Sequence, residues 1–281
     1  MAIVLSTNLS AESILRILEQ NAEGQRKIAE SLASGKRIQQ AGDAPADFIL
    51  SEKMRMRIRS LVQAERNAND AISLTQVAEG GLTEVSNILI RLRELAIQSA
   101  SDTVDQRDRE LIQTEANAWV SELNRIALST QFNQIQLLNG GDSQTELRFQ
   151  IGVHNQVHDQ VSLDLTNHDV RTDRLDLSSL SLASSDEARS ALSSVDSAIS
   201  RVASQRATLG ALQGQLHSVV RQLSLYRDTL SEAQSRIRDT DYAQSVSDWM
   251  KSQMIQSAGV SVLAQANLEP QIVLRLLQNP S

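Results

Sequence analysis

From residue 61 onward, apolar and small side chains recur at alternating steps of three and four: Leu61, Ala64, Ala68, Ala71, Thr75, Ala78, Leu82, Val85, Leu89, Leu92, Ala96 and Ser99. A seven-residue repeat sustained this far is the pattern of a coiled-coil seam, because it keeps one narrow stripe of a helix facing a partner. A second seam runs through Leu192, Val195, Ile199, Val202, Leu209, Leu216, Val220, Leu223, Leu230 and Ile237, with polar Arg206, Gln213 and Arg227 at intervening slots. At 1.5 Å per residue the two helices would extend roughly 60 and 80 Å, more than a globular domain uses. Asp102, Thr103 and Asp105 supply N-cap and first-turn chemistry for a further helix through Leu111, Ala118, Trp119, Val120, Leu123 and Ile126, expected to fold back on the first. Gly80 and Gly81 interrupt the first seam at a cost of about 1 kcal/mol each relative to alanine, which predicts close packing or a slight bend there.

Between Ser129 and Leu182 the period changes to two: Leu147, Phe149 and Ile151 alternate with polar neighbours, as do Val161, Leu163 and Leu165. These read as strands, with Asn139-Gly140-Gly141-Asp142 as a turn. The fold class that follows is mainly α: an elongated antiparallel coiled coil or helical rod with a small β-hairpin region joining its two halves.

The chain ends carry a third pattern. Leu9, Ile14, Leu15, Leu18, Ile28 and Leu32 at one end, and Val246, Met250, Ile255, Val262, Leu263, Ile272, Leu276 and Leu277 at the other, are apolar at helical spacing. The two helices could pair with each other, but their stripes are broad enough to need further neighbours. Polymerisation would supply them, so both ends are expected to be disordered in a free subunit.

Composition sharpens this picture. Trp, Tyr and Phe total only seven residues, so a thick globular core is not expected; scarce Gly and Pro suit long helices. A net charge of −7 argues against a nucleic-acid partner, which demands a dense basic surface. Cysteine is absent, which excludes disulfides and thiolate metal sites. The first nine residues lack the features of a cleaved secretory signal, and no run approaches the length of a membrane span.

Catalytic chemistry is not evident: no phosphate loop, nucleophile elbow or paired-acid site stands out, and no enzyme, cofactor or metal site is predicted. His154, His158, Asp159 and His168 have metal-ligating side chains, but the strand-like local pattern favours exposed hairpin histidines. Lys53, Arg55, Arg57 and Arg59 alternate with apolar residues and read as a solvated face near an intersubunit contact rather than a phosphate strip. Trp119 and Trp249 read as packing residues.

Several segments at both ends are those of a known family. Residues 31–38, Ser-Leu-Ala-Ser-Gly-Lys-Arg-Ile; residues 65–80, Glu-Arg-Asn-Ala-Asn-Asp-Ala-Ile-Ser-Leu-Thr-Gln-Val-Ala-Glu-Gly; residues 91–100, Arg-Leu-Arg-Glu-Leu-Ala-Ile-Gln-Ser-Ala; and Gln131-Phe132-Asn133 stand in that order. Near the other end come Ser235-Arg236-Ile237-Arg238-Asp239-Thr240-Asp241-Tyr242-Ala243 and Ser261-Val262-Leu263-Ala264-Gln265-Ala266-Asn267. Together they resemble bacterial flagellin, without counterparts of its central surface domains. One departure is Gly42-Asp43-Ala44-Pro45-Ala46-Asp47, where a proline interrupts the usual acidic element and should break the helix.

The resemblance implies a nested arrangement: a D0 helix at 1–42, D1 helices and β-hairpin region at 43–184, a D1 helix at 185–238 and a D0 helix at 239–281. It implies a structural subunit that polymerises into the flagellar filament used for motility, alone or with other flagellins. The polymerisation interface would fall on Leu9, Ile14, Leu18, Leu32, Val246, Met250, Ile255, Val262, Leu263 and Leu276. Implied partners are an export chaperone, the filament cap and hook-associated proteins, with secretion through the flagellar export channel to an extracellular or periplasmic filament. By motif, a candidate contact with the innate immune receptor TLR5 falls on Arg91, Leu95 and Glu115. The alternatives are a hook–filament junction protein, which resembles flagellin at both ends, and a non-flagellar coiled-coil adaptor.

Overall fold

The computed structural model describes residues 8–141 and 145–278. The helices are α1 (Leu9–Ser34), α2 (Pro45–Ser99), α3 (Gln106–Ser129), α4 (Ser185–Arg238) and α5 (Tyr242–Gln278); four short strands, β1 (Gln131–Phe132), β2 (Ile135–Gln136), β3 (Glu146–Gln150) and β4 (Gln160–Asp164), lie between α3 and α4. The chain forms two compact units, one covering Arg57–Asp228 and the other joining the two chain ends, up to Met56 and from Thr229 on. Both boundaries fall inside helices, α2 and α4, rather than at helix ends.

In the Arg57–Asp228 unit, all twelve positions of the first predicted seam, Leu61 to Ser99, are buried. They face α4, where Val195, Val202, Leu209, Leu216 and Leu223 are buried on the second seam. The pair is antiparallel: Glu65 meets Arg227 at 2.7 Å, Glu79 meets Gln213 at 2.9 Å, and Arg93 meets Asp196 at 2.7 Å. The polar slots of the second seam are thereby explained. Arg227 and Gln213 reach acids of α2, and Arg206 approaches Glu79 at 4.0 Å, so each interruption finds an opposite charge or acceptor across the seam. Such pairs add little stability at a half-exposed boundary but penalise a shifted register, where the acids would face apolar positions.

Helix α3 folds back on α2 as expected, with Asp105 as N-cap accepting from the Asp108 amide at 2.8 Å. Its buried face runs through Ile112, Ala116, Leu123 and Ala127, while Leu111 and Ala118 are exposed. The two seam glycines differ. A Cβ on Gly81 would lie 2.7 Å from the Leu138 side chain and 2.9 Å from Thr130 Oγ1, so the predicted close packing belongs to Gly81 alone; Gly80 has open space.

The predicted strands pair antiparallel as β3 and β4, with Leu147 opposite Leu163 and Phe149 opposite Val161. The β1–β2 ladder was not foreseen. It turns through Asn133 and Gln134 at φ 47° and 68°, the two left-handed positions of a tight hairpin, without the glycine that usually marks one. Asn139-Gly140-Gly141 turns the chain, with both glycines at positive φ. It is a buried bend preceding β3, with Asn139 Oδ1 accepting from the Gly141 amide at 3.1 Å and Asp169 packed where a Gly140 side chain would stand; Asp142 lies outside the described residues.

In the terminal unit, α1 begins with Asn8 as N-cap and ends on Gly35 at φ 68°. Lys36 bridges to Asp239, the Arg37 amide donates to Arg238 O at 2.7 Å, and Thr240 N donates to Gly35 O at 3.0 Å, so the exits of α1 and α4 are tied together. Pro45 does interrupt the helical course: it is the first residue of α2, where its missing N–H costs nothing. Ahead of it, Asp43 accepts from the amides of Gln39 and Gln40 at 3.1 and 2.9 Å, which hold its carboxyl below the usual range.

Candidate assembly interface

Helices α1 and α5 pack against each other, so the two ends find partners within the chain. Their seam is a seven-residue repeat made largely of small and polar side chains. On α1 the positions shielded from solvent include Ala11, Ile14, Leu18, Asn21, Gln25, Ile28 and Leu32; on α5 they are Ser245, Trp249, Ser252, Gln256, Gly259, Leu263 and Ala266. Side-chain chemistry closes it at three levels. Asn8 Nδ2 donates to Ala266 O at 2.9 Å; Leu18 lies over Gly259, where a Cβ would come within 2.5 Å; and Asn21 Nδ2 donates to Ser252 O at 2.9 Å and Gln256 Oε1 at 3.1 Å while accepting from Ser252 Oγ at 2.8 Å.

The ten predicted interface residues divide accordingly. Leu18 is buried in this seam, Ile14, Leu32 and Leu263 are half-buried at it, and Leu9, Val246, Met250, Ile255 and Val262 are exposed. The side chain of Leu276 lies outside the described residues. Leu15, Ile17, Met254, Val260 and Leu268 join the exposed set. The pair thus mixes small and polar groups with a few large apolar ones inside and turns many further apolar groups outward: Met254 is 67% and Val262 54% accessible. Contiguous exposed apolar surface of this kind is typical of interaction surfaces. The seam residues Ala11, Asn21, Ser252, Gln256, Gly259 and Ala266 were missed by reading for large apolar side chains alone; the three-four spacing of small and polar residues was the available signal.

The comparisons with known proteins accord with this organisation. The model of the "Bacterial flagellin N-terminal helical region" matches residues 5–143, and that of the "Bacterial flagellin C-terminal helical region" matches residues 192–277. The chain is 38% identical to a flagellin of Halalkalibacterium halodurans over 275 residues, 98% of this chain and 100% of that protein. The chain belongs to the bacterial flagellin family. It is 37% identical to the flagellar filament core protein flaB2 of Brachyspira hyodysenteriae over 284 residues, 98% of this chain and all of that one. Among solved structures, Bacillus cereus flagellin matches 56% of this chain and 88% of its own at 26% identity and a TM-score of 0.50. A putative flagellar hook-associated protein from Vibrio parahaemolyticus matches 70% of this chain and 100% of its own with a TM-score of 0.57, and at 14% identity that likeness shows the fold alone.

Family membership directs attention to Arg91, Leu95 and Glu115, which lie in the Arg57–Asp228 unit. Arg91 donates to Glu115 Oε1 from Nη2 at 2.7 Å and from Nε at 3.0 Å, and Trp119 Nε1 donates to the same oxygen at 3.2 Å. The Arg91 bonds first, then that of Trp119, hold the Glu115 carboxyl below its ordinary range. Leu95 does not share this surface. It is 1% accessible, in the α2 core stripe, so the trio is a surface ion pair with an apolar support beneath.

The remaining polar candidates have local roles. His154 N donates to Asp159 Oδ2 at 2.9 Å, and His154 and His158 are exposed as expected. His168 is not: it is buried in the short helical turn that follows β4, with Nδ1 2.8 Å from Asp164 O. Among the described residues no group of three or more His, Cys, Asp or Glu could hold a metal ion, and no helix is long and apolar enough to cross a membrane. Lys53, Arg55, Arg57 and Arg59 lie on α2, where steps of two turn about 200° and split them between two faces.

Proposed function

We propose that this flagellin-family chain is a structural subunit of the bacterial flagellar filament, and that it polymerises through the outward apolar surface of the α1–α5 pair. The observation that carries the reading is the outward apolar surface of the terminal pair, with Leu9, Val246, Met250, Ile255 and Val262 exposed although the two helices are already packed together. At about 25 cal/mol per Å² of apolar surface removed from water, packing these rows against neighbouring copies would drive assembly. In family terms the pair corresponds to D0, and the helices and hairpins between correspond to D1. The subunit is exported and built into the flagellum, with an export chaperone on the α5 segment and the filament cap and hook-associated proteins at the ends of the polymer. Arg91 and Glu115 are the surface groups that would meet an immune receptor, with Leu95 acting through the core below them.

Deleting residues 1–40 or 240–281 should abolish filaments, seen by negative-stain microscopy, while leaving the helical signal of the Arg57–Asp228 unit. Intact polymers from either truncation would overturn the reading. Long uniform tubes from the full chain distinguish a propagating subunit from a junction protein, which would stop at short assemblies.

A further inference from the structure

Helix α5 runs for 37 residues and carries apolar groups around most of its circumference, so hydrophobic contact alone leaves its position along α1 poorly determined. Two side-chain arrangements one turn apart remove the ambiguity. Leu18 enters the notch left by Gly259, and Asn21 exchanges hydrogen bonds with Ser252 and Gln256, using both ends of its amide. Sliding α5 by one heptad in one direction would place Asn21 beside Ser245 and Trp249 and Leu18 opposite Ser252; in the other, Asn21 would face Gly259 and Leu263 and Leu18 would face Ala266. In neither case does the amide keep the side-chain acceptor that Gln256 supplies or the leucine find a glycine; the first slip keeps only a serine beside Asn21. A polar residue at one seam position is a known way to fix register at some cost in stability, and a semi-buried amide without partners is penalised.

We propose that Asn21, clasped by Ser252 and Gln256, and Leu18, seated at Gly259, form a register lock that sets how the exposed rows of α1 and α5 line up, and thereby specifies the surface offered to neighbouring subunits. A one-heptad slip would displace these rows by about 10 Å relative to each other. Asn21 is a positioning residue here. It acts on assembly through the alignment of other side chains. The proposal rests on the filament reading above, and its test separates the two.

The chain contains no cysteine, so engineered pairs report register without background. Ala11→Cys with Ala266→Cys tests the observed register; Gln25→Cys with Ser245→Cys tests the one-heptad slip, with both pairs read as intramolecular disulfides in filaments elongated from wild-type seeds. With Asn21 intact, only the first pair should oxidise readily. Asn21→Leu should lower that yield at least several-fold and raise the slipped pair, and exchange of the two residues, Asn21→Ser with Ser252→Asn, should restore the first pattern. Should Asn21→Leu fail to elongate, the exchanged variant should regain elongation. Unchanged in-register disulfide in Asn21→Leu filaments, or no recovery in the exchange, would overturn the lock while leaving the filament reading intact. Failure of every chain with Asn21 intact to elongate would instead overturn the filament reading.

Discussion

The α2–α4 and α1–α5 pairs share one repeat but differ in how much of their apolar surface it covers. In the first, Leu82, Leu89 and Leu92 are fully buried; in the second, Ala11, Ser252 and Ala266 share the inside with Leu18, while Val246, Met254 and Val262 face outward. A heptad pattern therefore says that two helices meet, not which residues do the stabilising. The first pair supports a core on its own. The second obtains little from its own seam and keeps most of its apolar surface for other contacts.

The largest effect should come from placing charge on the outward rows. Ile255→Asp with Val262→Asp should remove pelletable polymer altogether, because assembly would desolvate unpaired carboxylates, while the melting of the Arg57–Asp228 unit stays unchanged. If sedimentation still finds filaments, the exposed rows are not the interface. Next comes truncation within each pair. Leu89→Ala should lower the unfolding free energy by about 3 kcal/mol, measured by urea titration, whereas Ile255→Ala should change it by less than about 0.5 kcal/mol and raise the critical concentration for assembly several-fold.

The paired glycines sharpen the comparison at smaller scale. Gly81→Ala should cost about 1–3 kcal/mol, since Leu138 and Thr130 already occupy the space, while Gly80→Ala should add up to about 1 kcal/mol of helix stability; thermal melting of both variants decides it. The smallest effect concerns acid. Burial would raise the Asp169 carboxyl, but the side-chain and backbone hydrogen bonds from Arg171 outweigh it and hold it below its usual value. A carboxyl depressed in the folded state contributes stability above its unfolded pKa of about 4 and loses it as the pH falls through the folded value. Asp169→Asn should therefore flatten the decline in stability below about pH 4, and an unaltered acid titration would contradict this role.

Much of the fold was legible because the α2 and α4 seams keep a strict spacing, and because Asp105 and Pro45 carry unambiguous helix-start chemistry. What was not legible lay where a short side chain carries the contact. The inner face of α3 depends on Ala116 and Ala127, and the terminal seam on Gly259 and Ser252, residues that hydropathy scarcely weighs. The β1–β2 turn was hidden because Asn133 and Gln134, rather than glycine, take the left-handed conformation. For the candidate interface, the terminal helices were identified, but half-buried Ile14, Leu32 and Leu263 could not be told from exposed Val246 and Val262 until the partner helix was in place.

The central claim, that one helix pair is complete within the chain and the other is completed by neighbours, is tested most directly by amide hydrogen exchange on the free subunit and on filaments. The account predicts slow exchange across the buried faces of α2 and α4 in both forms, and in α1 and α5 fast exchange in the free subunit that becomes slow on polymerisation. Equal protection of α1 and α5 in the free subunit and the filament would contradict it.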